Sequence, residues 1–195
     1  MKSLCVFCGS SSGARNGYSD AARDLARVLV GEGIRLVYGG ASVGVMGALA
    51  DEVLAGGGEV IGVIPEGMMR HEVAHHGLTE LRVVDSMHQR KALMAELSDG
   101  FVALPGGLGT FEELFEVYTW AQLGIHVKPV GLLNAAGYYD KLIEFLDGAV
   151  EERFLSSEDR SVLLVESDPR LLIEKFKLHR PPSVSKWAAI KKLST

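Results

Sequence analysis

The sequence is short of several things, and each absence narrows what the chain can be. Only two of its 195 residues are cysteine, too few for a disulfide scaffold. Cys5 and Cys8 form a C-x-x-C pair. A redox pair needs its first cysteine at a helix N-terminus, where the thiolate is stabilised. Here both fall in or just after the apolar run Ser3 to Phe7, which reads as a strand, and their odd separation sends them to opposite faces. They read as small buried residues of a reducing, cytoplasmic protein. No apolar run approaches the roughly 20 residues that span a bilayer, so no membrane segment is expected. The chain enters its first strand directly, and no signal peptide is expected. Internal repeats are missing too. Positive charge is scarce: 20 Lys and Arg stand against 25 Asp and Glu, a net of −5. Six of the basic residues lie in the last 21 positions, where there is no acid. The remainder carries 14 basic and 25 acidic residues, a net of −11. An acidic body argues against a nucleic-acid groove. The reading is one domain over 1–178 and a basic tail over 179–195.

Glycine, by contrast, is abundant: 23 residues, clustered at the ends of apolar runs. The most informative cluster is Pro105-Gly106-Gly107-Leu108-Gly109-Thr110-Phe111-Glu112-Glu113. It follows Phe101 to Leu104, an apolar strand, and precedes Leu114, Phe115, Val117, Tyr118 and Ala121, which recur at helical spacing. Glycines let backbone approach a ligand closely. The first N–H groups of a helix lack intrahelical partners, with the positive end of the helix dipole behind them. Strand, glycine turn and helix start together make a phosphate site. The ordinary alternative is that Thr110-x-x-Glu113 is a capping box and the glycines are turn chemistry. Three glycines in four positions exceed what a cap requires.

Along the whole chain, short apolar runs alternate with helical stripes, and the runs are continuously apolar, as in strands buried on both faces. The fold expected is α/β, a doubly wound parallel sheet with helices on both faces. Ligands of such sheets bind beyond the carboxyl ends of the strands. Three glycine turns fall there: Gly9 to Gly13, Gly39 to Gly47, and Gly106 to Gly109. None fits G-x-G-x-x-G, and Gly39-Gly40 stands where a ribose-binding acid would close the second strand. A mononucleotide or sugar phosphate fits better than a dinucleotide.

Two further patterns need weighing. His71-Glu72-Val73-Ala74-His75 matches the zinc-peptidase signature H-E-x-x-H. Pro65 and Gly67 before it and Gly77 after it leave barely two turns for a metal-bearing helix. It reads as an exposed loop or short helix, with Glu72 free to offer a carboxylate at the cleft mouth. No metal is expected. On the helix opened by the capping box Ser86-x-x-Gln89, Met87, Arg90, Met94 and Leu97 share one face. Arg90 therefore sits in an apolar stripe, either snorkelling at its edge or meeting a phosphate or carboxylate inside. Lys91 adds a second cation.

Met87-His88-Gln89-Arg90-Lys91, the turn Pro105 to Glu113, Gly39-Gly40 with Gly44-Val45-Met46-Gly47, and Cys8-Gly9-Ser10 together resemble the LONELY GUY family, cytokinin-activating phosphoribohydrolases formerly often labelled lysine decarboxylase-like. The resemblance covers most of the chain up to about residue 165. It implies a Rossmann-like sheet, a homodimer with sites near the subunit interface, and no cofactor. The activity it implies is hydrolysis of the N-glycosidic bond of a nucleoside 5′-monophosphate, releasing an adenine-type base and ribose 5-phosphate. It places the catalytic pair at Arg90 and Glu113. Nucleotide contacts fall on Glu72, Arg90, Lys91, Gly107, Leu108, Gly109, Thr110, Phe111, Glu112, Glu113 and Thr119, with Gly9, Ser10, Gly39 and Gly40 in the neighbouring turns. The older label meets a chemical objection. Pyridoxal phosphate chemistry needs a Schiff-base lysine and a partner for the ring nitrogen, and Lys91 is the only lysine near these motifs. The rival readings are a non-catalytic nucleotide or cofactor carrier on the same fold, and the zinc peptidase.

Overall fold

A computed structural model describes residues 1–69 and 74–180. Seven strands form one all-parallel sheet: β1 (Ser3–Phe7), β2 (Arg35–Tyr38), β3 (Val60–Pro65), β4 (Glu80–Val84), β5 (Phe101–Ala103), β6 (Val130–Leu133) and β7 (Leu163–Glu166). Their spatial order is β4-β3-β2-β1-β5-β6-β7. The chain winds outward from β1 to β4, crosses back, and winds outward the other way from β5. The reversal puts β1 beside β5, with Cys5 opposite Phe101 and Phe7 opposite Ala103. A crevice opens at the carboxyl ends of such a pair.

The burial of each strand follows from its place. β1, β3, β5 and β6 are buried at every residue, whereas edge strand β4 has none buried. Its residues include Glu80 and Arg82, charges that discourage edge pairing. Helices α1 (Gly17–Gly31), α2 (Gly44–Ala55) and α7 (Pro169–Leu178) cover one face through Leu25, Leu29, Leu49, Leu172 and Phe176. Helices α3 (Met87–Glu96), α4 (Leu108–Leu123), α5 (Asp140–Glu151) and α6 (Ser157–Val162) cover the other through Met94, Leu114, Val117, Leu146 and Val162. Each such apolar side chain contributes about 1.5–3 kcal/mol by leaving water. Cys5 packs in the second layer and Cys8 in the first, both free and buried, as their spacing requires.

The sequence pattern passes over α6, whose six residues are too few to show a stripe; Ser156 caps it by accepting from the Asp159 N–H at 3.0 Å. Pro65 is the last residue of β3, paired in register with Val84 of β4. No described helix is long and apolar enough to cross a membrane. The segment 181–195 lies outside the described residues.

Candidate active site

The three glycine turns meet at the crevice, but they do different things. Gly9 is the hub. Its N–H donates to the Pro105 carbonyl at 3.1 Å, and its own carbonyl accepts from the N–H groups of Val45 and Met46 at 3.0 and 3.2 Å. The opening amides of α2 are thereby spent on backbone. Gly44, which starts α2, has φ +62°, and a Cβ there would lie 2.4 Å from the Ser10 carbonyl carbon. Only glycine allows that approach.

Helix α4 starts differently. Its cap is Gly107, which offers no side chain, and the first backbone return is Phe111 N–H to the Gly107 carbonyl at 3.1 Å. The amides of Leu108, Gly109 and Thr110 therefore fall in the turn that intrahelical bonds leave unsatisfied. These residues wall a cavity of about 250 Å³. The alternative reading of Thr110-x-x-Glu113 as a capping box does not hold, since the cap is Gly107. Thr110 is the third residue of α4, and its side chain packs under Gly106, where a Cβ would meet Thr110 Oγ1. Glu113 is a further turn inside and reaches away from the cap.

Glu113 shares the inward face of α4 with Thr110, Leu114 and Val117. Arg90 shares the inward face of α3 with Met94. Two charged residues in otherwise apolar stripes meet each other: Arg90 Nη1 lies 3.0 Å from Glu113 Oε1, with side chains 7% and 9% exposed. Arg90 Nε also donates to the Val63 carbonyl at 3.0 Å. Gly39 makes this possible, since a Cβ there would lie 2.2 Å from Arg90 Nη2. Removing one partner of a buried pair leaves an uncompensated charge, so the two stand or fall together. Both line the cavity. Burial, reinforced by the Glu113 charge, pushes the thiols of Cys5 and Cys8 up, so they are protonated and unreactive.

The remaining expected site residues divide between the cavity and its surroundings. Gly9, Ser10, Gly107, Leu108, Gly109 and Glu112 also border the cavity. Gly40 sits behind it, its carbonyl accepting from the His75 N–H at 2.9 Å. Lys91 points elsewhere: Nζ bonds Glu112 at 2.5 Å and Glu116 at 3.0 Å, tying α3 to α4. Burial alone would lower its pKa, but the two carboxylates outweigh that and raise it. Phe111 lines a neighbouring apolar groove with Phe115, Tyr139 and Leu142. Thr119 lies exposed farther along α4. His71 and Glu72 lie outside the described residues. His75, the last histidine of the zinc signature, has both ring nitrogens engaged: Nε2 with Asp51 Oδ1 at 2.9 Å, and Nδ1 accepting from the Gly77 N–H at 3.1 Å. Sequence reasoning missed the sulfur-rich wall of Met46, Met68 and Met87. Met46 and Met87 lay inside quoted motifs, Met87 on the face of Arg90, but nothing in their spacing says that the three side chains share one cavity.

A family model described as "Possible lysine decarboxylase" matches residues 46–176. A cytokinin riboside 5′-monophosphate phosphoribohydrolase of Arabidopsis thaliana is 52% identical over 93% of this chain and 84% of its own length. A probable enzyme of the same name from Oryza sativa subsp. japonica is 54% identical over 93% of this chain and 86% of its own. The chain belongs to the LONELY GUY family. Among solved structures, the molybdenum cofactor carrier protein of Chlamydomonas reinhardtii superposes with a TM-score of 0.70, covering 91% of this chain and 96% of that one. At 22% identity this likeness shows the shared fold alone. For a LONELY GUY protein the decarboxylase description fits the site poorly. A Schiff-base lysine needs a depressed pKa and a free amine, and Lys91 is held protonated between two carboxylates.

Proposed function

We propose that this protein hydrolyses the N-glycosidic bond of nucleoside 5′-monophosphates, cytokinin riboside monophosphates and AMP among them, releasing the free base and ribose 5-phosphate. One observation carries the reading: a buried carboxylate, Glu113, stands in the same cavity as the uncapped amides of α4. Leu108 and Glu113 are five residues apart, about 7.5 Å along the helix, a separation suited to a ribose between its 5′-phosphate and its anomeric carbon. The amides of Gly107, Leu108, Gly109 and Thr110 hold the phosphate. Cleavage of the glycosidic bond builds positive charge on the ribose, as in O-glycoside hydrolysis. Glu113 stabilises that charge and orients or deprotonates the attacking water. Arg90 holds the Glu113 carboxylate in place through its own anchor on Val63, and faces the cavity as a counter-charge to the nucleotide. The methionine wall offers polarisable surface to a purine.

Several finer points belong to the same proposal. The working unit is a homodimer. Helix α4 buries one face, yet Leu108 on it is 86% exposed, and Phe145 and Phe154 are 71% and 89% exposed. Exposed apolar surface of this kind fits a partner subunit, and light scattering on the purified chain tests it. A second protomer is then the place from which Thr119 would meet a ligand. Free, buried Cys5 and Cys8 fit a cytoplasmic location.

Chromatography of reactions with AMP and with isopentenyladenosine monophosphate tests the function. Free base and ribose 5-phosphate should appear in equal amounts. Binding of AMP without base release over hours would instead make the protein a nucleotide carrier.

A further inference from the structure

We infer that Tyr138 is a positioning residue for the anion site, because its hydroxyl sets the orientation of the peptide that carries the Gly107 N–H. The inference rests on the reading of the α4 start as a phosphate site. Three consecutive carbonyls of the β5–α4 turn are tied down. Leu104 O accepts from the Tyr139 hydroxyl at 2.6 Å, Pro105 O from the Gly9 N–H at 3.1 Å, and Gly106 O from the Tyr138 hydroxyl at 2.5 Å. All described peptides are trans. In a trans peptide the C=O and the following N–H point opposite ways. Fixing the Gly106 carbonyl therefore aims the Gly107 N–H away from Tyr138. Tyr138 lines a second cavity of about 260 Å³, with Tyr18, Val45 and Pro105, and does not border the first. Gly107 borders both cavities, so an N–H aimed away from Tyr138 faces the one holding Glu113.

The segment bearing the tyrosine is built to hold it there. Between β6 and α5 the chain runs through Ala136 at φ +51° and Gly137 at φ +71°. An alanine in that region is uncommon, and such backbone persists where its surroundings fix it. Asn134 does so: its Nδ2 donates to Asp140 Oδ1 and its Oδ1 accepts from the Tyr139 N–H, both at 2.7 Å. The Tyr138 ring stands edge-on to Tyr18 at 5.5 Å and to Tyr139 at 5.0 Å. The ring is therefore held without its hydroxyl, and removing the hydroxyl removes the single bond to Gly106.

The neighbouring tyrosine supplies an internal control. Tyr139 bonds the carbonyl of the Leu104–Pro105 peptide, which has no N–H to aim. Loss of that bond costs stability and leaves the amides of the anion site where they were. The test is calorimetric titration of the full chain with ribose 5-phosphate, alongside thermal melts. Tyr138→Phe should weaken ribose 5-phosphate about three- to tenfold, the effect of losing one aligned hydrogen bond, whereas Tyr139→Phe lowers the melting temperature and changes affinity less than about twofold. If Tyr139→Phe does not fold, Tyr118→Phe takes its place, since that buried hydroxyl donates to Asp159 O on α6 and touches no carbonyl of the turn. Wild-type affinity in Tyr138→Phe, or equal weakening in the control, overturns the inference. Failure of the wild-type chain to bind ribose 5-phosphate at all overturns the phosphate site beneath it.

Discussion

Helices α2 and α4 begin alike on paper, each after a strand and a run of glycines, and they end up with opposite tasks. The α2 amides close on the carbonyl of Gly9, and Gly44 is pressed against the backbone of Ser10. The α4 amides face a cavity, and a Cβ on Gly107 or Gly109 would meet nothing within 4 Å. A glycine-rich helix start is thus an anion site only where no backbone carbonyl already occupies it. The difference is tertiary: it depends on where the β1 loop comes to rest, which neither local sequence contains.

The largest test of this contrast is at the charged end of the α4 site. Glu113→Gln should lower base release from AMP about 100- to 1000-fold, the usual loss when one charge-stabilising group is removed, with AMP binding retained. Arg90→Met should lower turnover at least as far. It also leaves the Glu113 carboxylate buried without its counter-charge, so urea denaturation should show a loss of about 3–5 kcal/mol. Near-normal turnover in either purified variant removes that residue from the mechanism. Next come the glycines. Gly44→Ala forces a side chain into positive φ and against Ser10, and should cost more than about 2 kcal/mol in stability. Gly109→Ala should leave stability unchanged or raise it by up to about 1 kcal/mol, while weakening ribose 5-phosphate because the methyl enters the space the ligand needs. If the two variants behave alike, the distinction between a structural and a binding helix start fails. Gly39→Ala falls between them: its methyl displaces Arg90, so kcat should drop at least tenfold with a smaller effect on stability.

The smallest effect lies at the other end of the sheet. His126 donates from Nε2 to the Val117 carbonyl at 2.9 Å and accepts the Lys128 N–H at Nδ1. Burial first, and the Lys128 charge with it, lower its pKa. The unfolded chain then binds the proton more readily, so this stability is complete above about pH 6.5 and is lost as pH falls through the lower folded value. Urea midpoints measured from pH 7.5 down to 5 should decline, and less steeply in His126→Asn.

Much of this was legible in the residues. Continuous apolar runs such as Val60 to Ile64 and Val130 to Leu133 announced a parallel sheet, because strands covered on both faces have no polar side to show. Arg90 declared itself by interrupting the stripe of Met87, Met94 and Leu97. Its partner did not, since Glu113 also fitted a capping box, and only the start of α4 at Leu108 decides between them. Lys91 is the complementary case. Adjacent to Arg90 in sequence, it points about 100° around the helix, toward Glu112 and Glu116. The carbonyl clamps from Tyr138 and Tyr139 cross more than 30 residues, and no periodicity in the sequence reports such contacts.

The central claim is that one cavity seats the 5′-phosphate on the α4 amides with the ribose above Glu113. The direct measurement is a crystal structure of the Glu113→Gln variant with AMP. The account predicts the phosphate within hydrogen-bond distance of the Leu108, Gly109 and Thr110 amides and the anomeric carbon beside the residue 113 side chain. A phosphate bound elsewhere, with that side chain remote from the sugar, would contradict it.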